Sequence, residues 1–208
     1  MRVVVLADTH APRRWRSCPP RVARELRGAD LILHAGDVCT AIVLAELAQY
    51  APVTAVLGNN DGPDVADWGA TPAAELTLDG LRVAMLHDSG SSSGRLARMR
   101  RAFPGADLVV FGHSHIPLDQ SGYGLRIFNP GSPTDRRRQP QGTLGVLRIA
   151  DGRLAEATIV PVSLTSGPAR YSVHQSSSSS LLLAPCLALA GGPPLACPAA
   201  AGRWAAWT

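Results

Sequence analysis

Val3-Val4-Val5-Leu6-Ala7-Asp8-Thr9-His10 opens the chain with a short apolar run that ends in two side chains able to hold a metal. Four further stretches repeat that pattern. Leu31-Ile32-Leu33-His34-Ala35-Gly36 runs into Asp37, and Val53-Thr54-Ala55-Val56-Leu57-Gly58 runs into Asn59. Val83-Ala84-Met85-Leu86 leads to His87, and Leu108-Val109-Val110-Phe111-Gly112 leads to His113-Ser114-His115. Apolar runs of this length, bounded by turn residues, read as buried strands. Function gathers just beyond the carboxyl ends of such strands. Five strands are therefore expected to deliver seven ligands (Asp8, His10, Asp37, Asn59, His87, His113 and His115) to one crevice.

Outward from these runs, residues 1 to about 60 alternate strand and helix. Pro19-Pro20 opens a helix through Arg27, with Pro at its start, and Gly28 stops it. Thr40 can cap a second helix reaching about Tyr50. Such repetition implies parallel strands with right-handed crossovers. The middle of the chain reads as hairpins: Glu75–Leu78 with Leu81–Leu86 across Asp79-Gly80, and Ile116–Ser121 with Gly124–Phe128 across Gly122-Tyr123. Gly142–Ile149 pairs with Arg153–Val162 across Asp151-Gly152. Gly94 to Phe103 is an arginine-bearing helix that Pro104-Gly105 ends. Parallel units followed by hairpins predict an α/β fold of two packed mixed β-sheets flanked by helices.

Residues 1–162 form the expected domain. Beyond Ser163 the texture changes. No Asp, Glu, Lys or Arg stands between Arg170 and Arg203, and Ser176–Ser180 is homopolymeric. Residues 163–208 are read as a disordered, low-complexity tail, because prolines interrupt the apolar stretch that a membrane span of about 20 residues would need. The net charge of +4 comes with 20 basic residues, all arginine, so lysine chemistry is excluded. No basic, aromatic-interleaved stripe marks a stable nucleic-acid groove. The four cysteines show no Cys-x-x-Cys spacing, and no signal peptide precedes the first strand, so a reducing cytoplasm is expected.

Asp8-x-His10 and His113-x-His115 each put two donors on one side of an extended segment. Mixed nitrogen and carboxylate donors suit manganese, iron, zinc or cobalt better than calcium or magnesium. Seven donors are too many for one ion that must admit substrate, and fit two ions sharing a carboxylate. Singly, each has an ordinary use, as turn former or exposed imidazole. It is their coincidence in phase at strand ends that argues for a metal centre. His34 and His174 are left outside it, as a strand residue and a tail residue.

Asp8-Thr9-His10, Gly36-Asp37, Gly58-Asn59-Asn60-Asp61, Leu86-His87 and Gly112-His113-Ser114-His115 resemble the motif series of the calcineurin-like metallophosphoesterases. Asn129-Pro130-Gly131-Ser132 resembles the small prokaryotic phosphodiesterase branch of that family. The match covers residues 1 to 162. The resemblance implies one metal on Asp8, His10, Asp37 and His115, and a second on Asp37, Asn59, His87 and His113. Asp37, Asn59, His113 and Asp61 fall in the implied catalytic set, with Asp61 orienting His10 or the Asn59 loop. The implied cofactors are two divalent transition-metal ions, manganese first, with nickel, iron, zinc or cobalt as alternatives. They would lie roughly 3.5–4 Å apart and share a hydroxide that attacks phosphorus.

Two positions depart from the family pattern. Many relatives carry histidine where this chain has Asn60, which cannot protonate a leaving group. General-acid assistance is worth about 10²–10⁴-fold, so esters with good leaving groups are expected to be preferred, and Asn60→His to help poor ones. Asp88-Ser89 replaces Gly-His. Arg136-Arg137-Arg138 reads either as a solvated loop or as a clamp on substrate phosphate. The expected function is hydrolysis of a small or nucleotide-like phosphodiester. The alternatives are a phosphomonoesterase and a non-catalytic scaffold on the same fold. No membrane partner is expected, and a homo-oligomer is left open.

Overall fold

Val3, Val4, Val5 and Leu6 are all without solvent exposure, so the first strand must be covered on both faces. A computed structural model, which describes residues 1–162, gives the reason. β1 (Arg2–Leu6), β2 (Leu31–His34) and β3 (Val53–Ala55) run parallel, joined by α1 (Pro20–Leu26) and α2 (Ala41–Leu47). β9 (Gly142–Ala150) and β10 (Arg153–Val162) add antiparallel to β1, completing a sheet of order β10-β9-β1-β2-β3. The second sheet has the order β4-β5-β6-β8-β7, from β4 (Ala73–Leu78), β5 (Leu81–Leu86), β6 (Leu108–Val110), β7 (Leu118–Gly122) and β8 (Leu125–Asn129).

Alternation along each strand assigns its side chains to two layers. Val3 and Val5 of β1 meet Val83, Met85, Leu108, Val110 and Phe128 between the sheets. Val4 and Leu6 face the other way, onto Val22 and Leu26 of α1 and Val43, Leu44 and Leu47 of α2. Ala84, Val109 and Ile127 of the second sheet pack against Met99 of α4 (Arg95–Ala102). The α/β sandwich of two mixed sheets expected from the sequence is what forms.

Three differences are instructive. The expected hairpins form, but the sequence reading did not specify the parallel pairs of the second sheet, β5 with β6 and β6 with β8, with α4 as the β5–β6 crossover. A short helix, α3 (Pro63–Trp68), follows the Asn59 loop and has no counterpart in the sequence reading. The β7–β8 turn is Tyr123-Gly124, one residue later than expected. Both central residues have positive φ, 54° and 68°, the geometry of the twisted two-residue hairpin turn, in which Gly suits the second position. Asp79-Gly80 and Asp151-Gly152 turn in the same way.

No helix among the described residues is long and apolar enough to cross a membrane. Residues 163–208, including His174 and the expected disordered tail, lie outside the described residues.

Candidate metal centre

The seven strand-end donors converge in two groups. Ligand-type atoms of Asp8, His10 and His115 lie within 4.8 Å of one another, and so do those of Asp37, His87 and His113. Asn59 joins the second group, its Oδ1 lying 3.0 Å from His113 Nδ1 and 3.2 Å from His87 Nε2. Asp37 Oδ2 stands between the groups, 3.8 Å from His10 Nε2 and 3.4 Å from His87 Nε2. One oxygen is therefore within reach of both.

The backbone takes uncommon conformations to achieve this. Asp8, His10, Asp37, His113 and His115 all have positive φ, between 49° and 66°. For residues with a Cβ this region is sparsely populated, and such outliers cluster at functional sites. Two glycines make room. Gly36 has φ of 87°, and a Cβ there would meet His87 Nδ1 at 2.7 Å. A Cβ at Gly58 would overlap the Asp37 carboxylate.

The imidazoles are aimed by backbone acceptors. His87 Nδ1–H donates to the Ala35 carbonyl at 2.7 Å, and His115 Nδ1–H to the Asp135 carbonyl at 2.6 Å. Each bond occupies Nδ1 and turns Nε2 into the centre, where a bound cation would take its lone pair in place of a proton. His115 Nε2 then faces His10 Nε2 at 3.1 Å and Asp8 Oδ1 at 3.4 Å. The other Asp8 oxygen, Oδ2, is buried with no hydrogen-bond partner. Converging lone pairs and an orphaned buried carboxylate oxygen are unfavourable unless a cation satisfies them. The residues present thus fit divalent cations.

Electrostatics follow from that arrangement. Burial pushes the Asp8 carboxyl up to about 7, with the Asp37 charge adding to it and His87 opposing. Burial also raises Asp37, but hydrogen bonds from His87 and the Asn60 backbone outweigh it and hold that carboxyl below its usual range. Burial pushes His115 down to about 4 and lowers His10 as well. Burial lowers His87 too, yet its bonds to Asp37 and Ala35 win and raise it.

The remaining expected residues take more specific places. Asp61 makes no hydrogen bond to a side chain of either ligand group. Its Oδ2 accepts the backbone N–H of Asp37 at 3.0 Å and of Gly58 at 2.7 Å, and its Oδ1 that of Cys39 at 2.6 Å. Of the two roles expected, it ties the Asn59 loop to the Asp37 turn rather than orienting His10. Asn60 is engaged rather than idle. Its backbone N–H reaches Asp37 Oδ1 at 2.9 Å and its amide Nδ2 reaches Asp37 Oδ2 at 2.7 Å. Asp88 is exposed, 3.9 Å from the outer nitrogen of His113. His34 stays outside both groups, fully buried with Nε2 3.2 Å from Thr9 Oγ1.

Sequence reasoning gave no role to the segment from Asn129 to Asp135. Ser132 Oγ–H donates to the Asp8 carbonyl at 2.7 Å, and Thr134 Oγ1–H to the Thr9 carbonyl at 2.8 Å. Asn129 Nδ2 donates to Gly112 O at 2.8 Å. The segment thus pins the Asp8 strand end and the start of the His113 turn together, and adds the Asp135 carbonyl behind His115. The Asn-Pro-Gly-Ser run was the one available signal.

Comparison with known proteins agrees with this geometry. The family model for the calcineurin-like phosphoesterase superfamily domain matches residues 1–152. A probable metallophosphoesterase of Methanothermobacter thermautotrophicus is 35% identical over 164 residues, covering 77% of this chain and 92% of that protein. Among solved structures, zinc-bound Vps29 of Entamoeba histolytica superposes with a TM-score of 0.64 at 21% identity, covering 79% of this chain and all of that one. A structure described as a novel archaeal phosphodiesterase gives 0.62 at 20% identity, covering 78% and 100%. At those identities the two structures speak for the fold alone, whereas the family match and the archaeal relative speak for descent. This chain belongs to the calcineurin-like phosphoesterase superfamily.

Proposed function

We propose that the protein is a phosphodiesterase that works with two divalent cations, one held by Asp8, His10, Asp37 and His115 and the other by Asp37, Asn59, His87 and His113. The observation that carries the reading is Asp37 Oδ2, which lies within 4 Å of a histidine nitrogen of each group. Bound there, two cations would polarise phosphate oxygens and lower the pKa of water. Asp37 supplies a shared negative charge, and Asn60 and Asp61 hold its side chain and backbone in place. The outer nitrogens of His87 and His115 stay occupied by carbonyls, so their rings cannot turn away. Manganese is our preferred metal, on the mixed nitrogen and oxygen donors. A reducing cytoplasm suits the free thiols of Cys18 and Cys39.

Diesters are favoured over monoesters by what stands at Asn60. Its amide is committed to Asp37 and has no proton to give a departing alkoxide. Bis(4-nitrophenyl) phosphate, whose leaving group needs little protonation, is therefore the expected substrate in preference to 4-nitrophenyl phosphate. Metal-reconstituted protein should turn over the diester, and Asp37→Ala and His113→Ala should reduce that rate to background. Activity surviving both substitutions would sink the mechanism. The fold by itself, shared with Vps29, also allows a second reading, a scaffold without turnover. The complete donor set speaks against it, and metal binding without hydrolysis of any ester would support it.

A further inference from the structure

Two cavities adjoin the centre, and their linings differ in charge. One, of about 350 Å³, touches Asn59, His87 and His113 and is walled by Leu57, Pro72 and Leu86, with Asp88 at its side. The other, of about 340 Å³, touches His10 and Asn60 and is lined by Arg13, Arg14, Arg137 and Asp135. Each thus adjoins a different group of ligands, and they share no residue.

What sets the three arginines apart is their place: all line one cavity beside His10, with guanidinium groups not committed to hydrogen bonds. Arg82 and Arg126 are spent on carboxylates, and Arg98 and Arg100 on rows of backbone carbonyls. Among the described residues, the side chains of Arg13, Arg14 and Arg137 donate no hydrogen bond. Asp135 is, among the described residues, the one carboxylate within 4.0 Å of them, at 3.8 Å from Arg14 and 4.0 Å from Arg137, both longer than hydrogen-bonded contact. Arg137 moreover has φ of 45°, in the left-handed region that residues with a Cβ rarely adopt. Three cationic forks with unused donors around one cavity form a receptor for a multiply charged anion, and guanidinium matches phosphate geometry bidentately.

Resting on the phosphodiesterase reading above, we infer that the substrate carries a second phosphate, a terminal monoester, on the arm of the diester that lies over His10. The other arm is uncharged. It sits against Leu57, Pro72 and Leu86, where Asp88 repels anions. The substrate class is a phosphodiester flanked on one side by a phosphate monoester, such as a nucleotide bearing a terminal phosphate.

The test compares thymidine 3′-(4-nitrophenyl phosphate) with its 5′-phosphorylated form on the metal-reconstituted full chain. The 5′-phosphate should lower KM about tenfold or more, the scale of one charge-assisted hydrogen bond. Rising salt should erode that advantage. Arg137→Gln should cut it, and the triple variant Arg13→Gln, Arg14→Gln, Arg137→Gln should erase it. Equal KM values for the two esters in the native protein, or an advantage that persists in the triple variant, overturn the inference. Hydrolysis of neither ester refutes the phosphodiesterase reading instead. Calorimetric titration of the metal-free chain with inorganic pyrophosphate then tests the cavity alone. Binding that the triple variant loses supports it, and absent or unaltered binding overturns it.

Discussion

Asn60 holds Asp37 by two hydrogen bonds, one from its backbone and one from its amide. Such partners of metal ligands typically cost 10–100-fold in affinity when removed. Asn60→Ala should therefore weaken cation binding by about that factor, measured by calorimetric titration of the metal-free protein. The sequence-based expectation for Asn60→His needs revising on the same ground. Histidine would bring an acid to the site but surrender the amide bond to Asp37, so any gain on poor leaving groups is set against weaker metal binding. His34 makes a second residue-scale case. Burial pushes its pKa from 6.5 to about 3, so the unfolded chain takes up a proton that the folded chain refuses. Stability is full above pH 6.5 and falls as pH drops towards 3, by up to about 1.4 kcal/mol per unit. The urea midpoint of the metal-free protein should decline more steeply between pH 7 and pH 5 than that of His34→Gln. Equal slopes would acquit His34.

The segment from Asn129 to Asp135 is an element without regular secondary structure that does the work of a brace. Ser132 Oγ donates to the Asp8 carbonyl and accepts the backbone N–H groups of Thr134 and Asp135. Ser132→Ala leaves buried backbone groups unpaired, at about 1–3 kcal/mol for an unsatisfied group. It should lower the thermal midpoint and loosen the Asp8 group of ligands more than the Asp37 group, which metal titration can resolve. Legibility in the sequence divides along the same line. Val3–Leu6 and Leu108–Val110 announce themselves because a strand buried on both faces must be apolar throughout. Their following Asp and His residues are conspicuous for the same reason. The parallel pairing of β5 with β6, and of β6 with β8, leaves no such mark, since register and neighbour choice depend on tertiary contacts. α3 is a six-residue helix with one buried side chain, Val65, too short for periodicity to reveal. Asp135 acts through its carbonyl, which every residue type possesses, and so no reading of side chains could find it.

Each group of ligands draws on both sheets. Asp8 and His10 follow β1 while His115 follows β6; Asp37 follows β2 while His87 and His113 follow β5 and β6. Bound cations would accordingly hold the sandwich together, and removing them should destabilise the whole molecule. A single ion present at 100 times its dissociation constant contributes about 2.7 kcal/mol. Chelator should lower the melting temperature by several degrees, and readdition of metal should restore it. An unmoved transition would mean that the donors hold no ion. The same spanning arrangement makes inter-sheet packing a form of calibration. Val5, Met85, Val110 and Phe128 touch no substrate, yet they set the spacing at which donors from opposite sheets meet. Close-packed interiors transmit strain and do not yield gradually. The hydrophobic layer therefore acts as a gauge block: its thickness decides whether one carboxylate oxygen can serve two ions or only one.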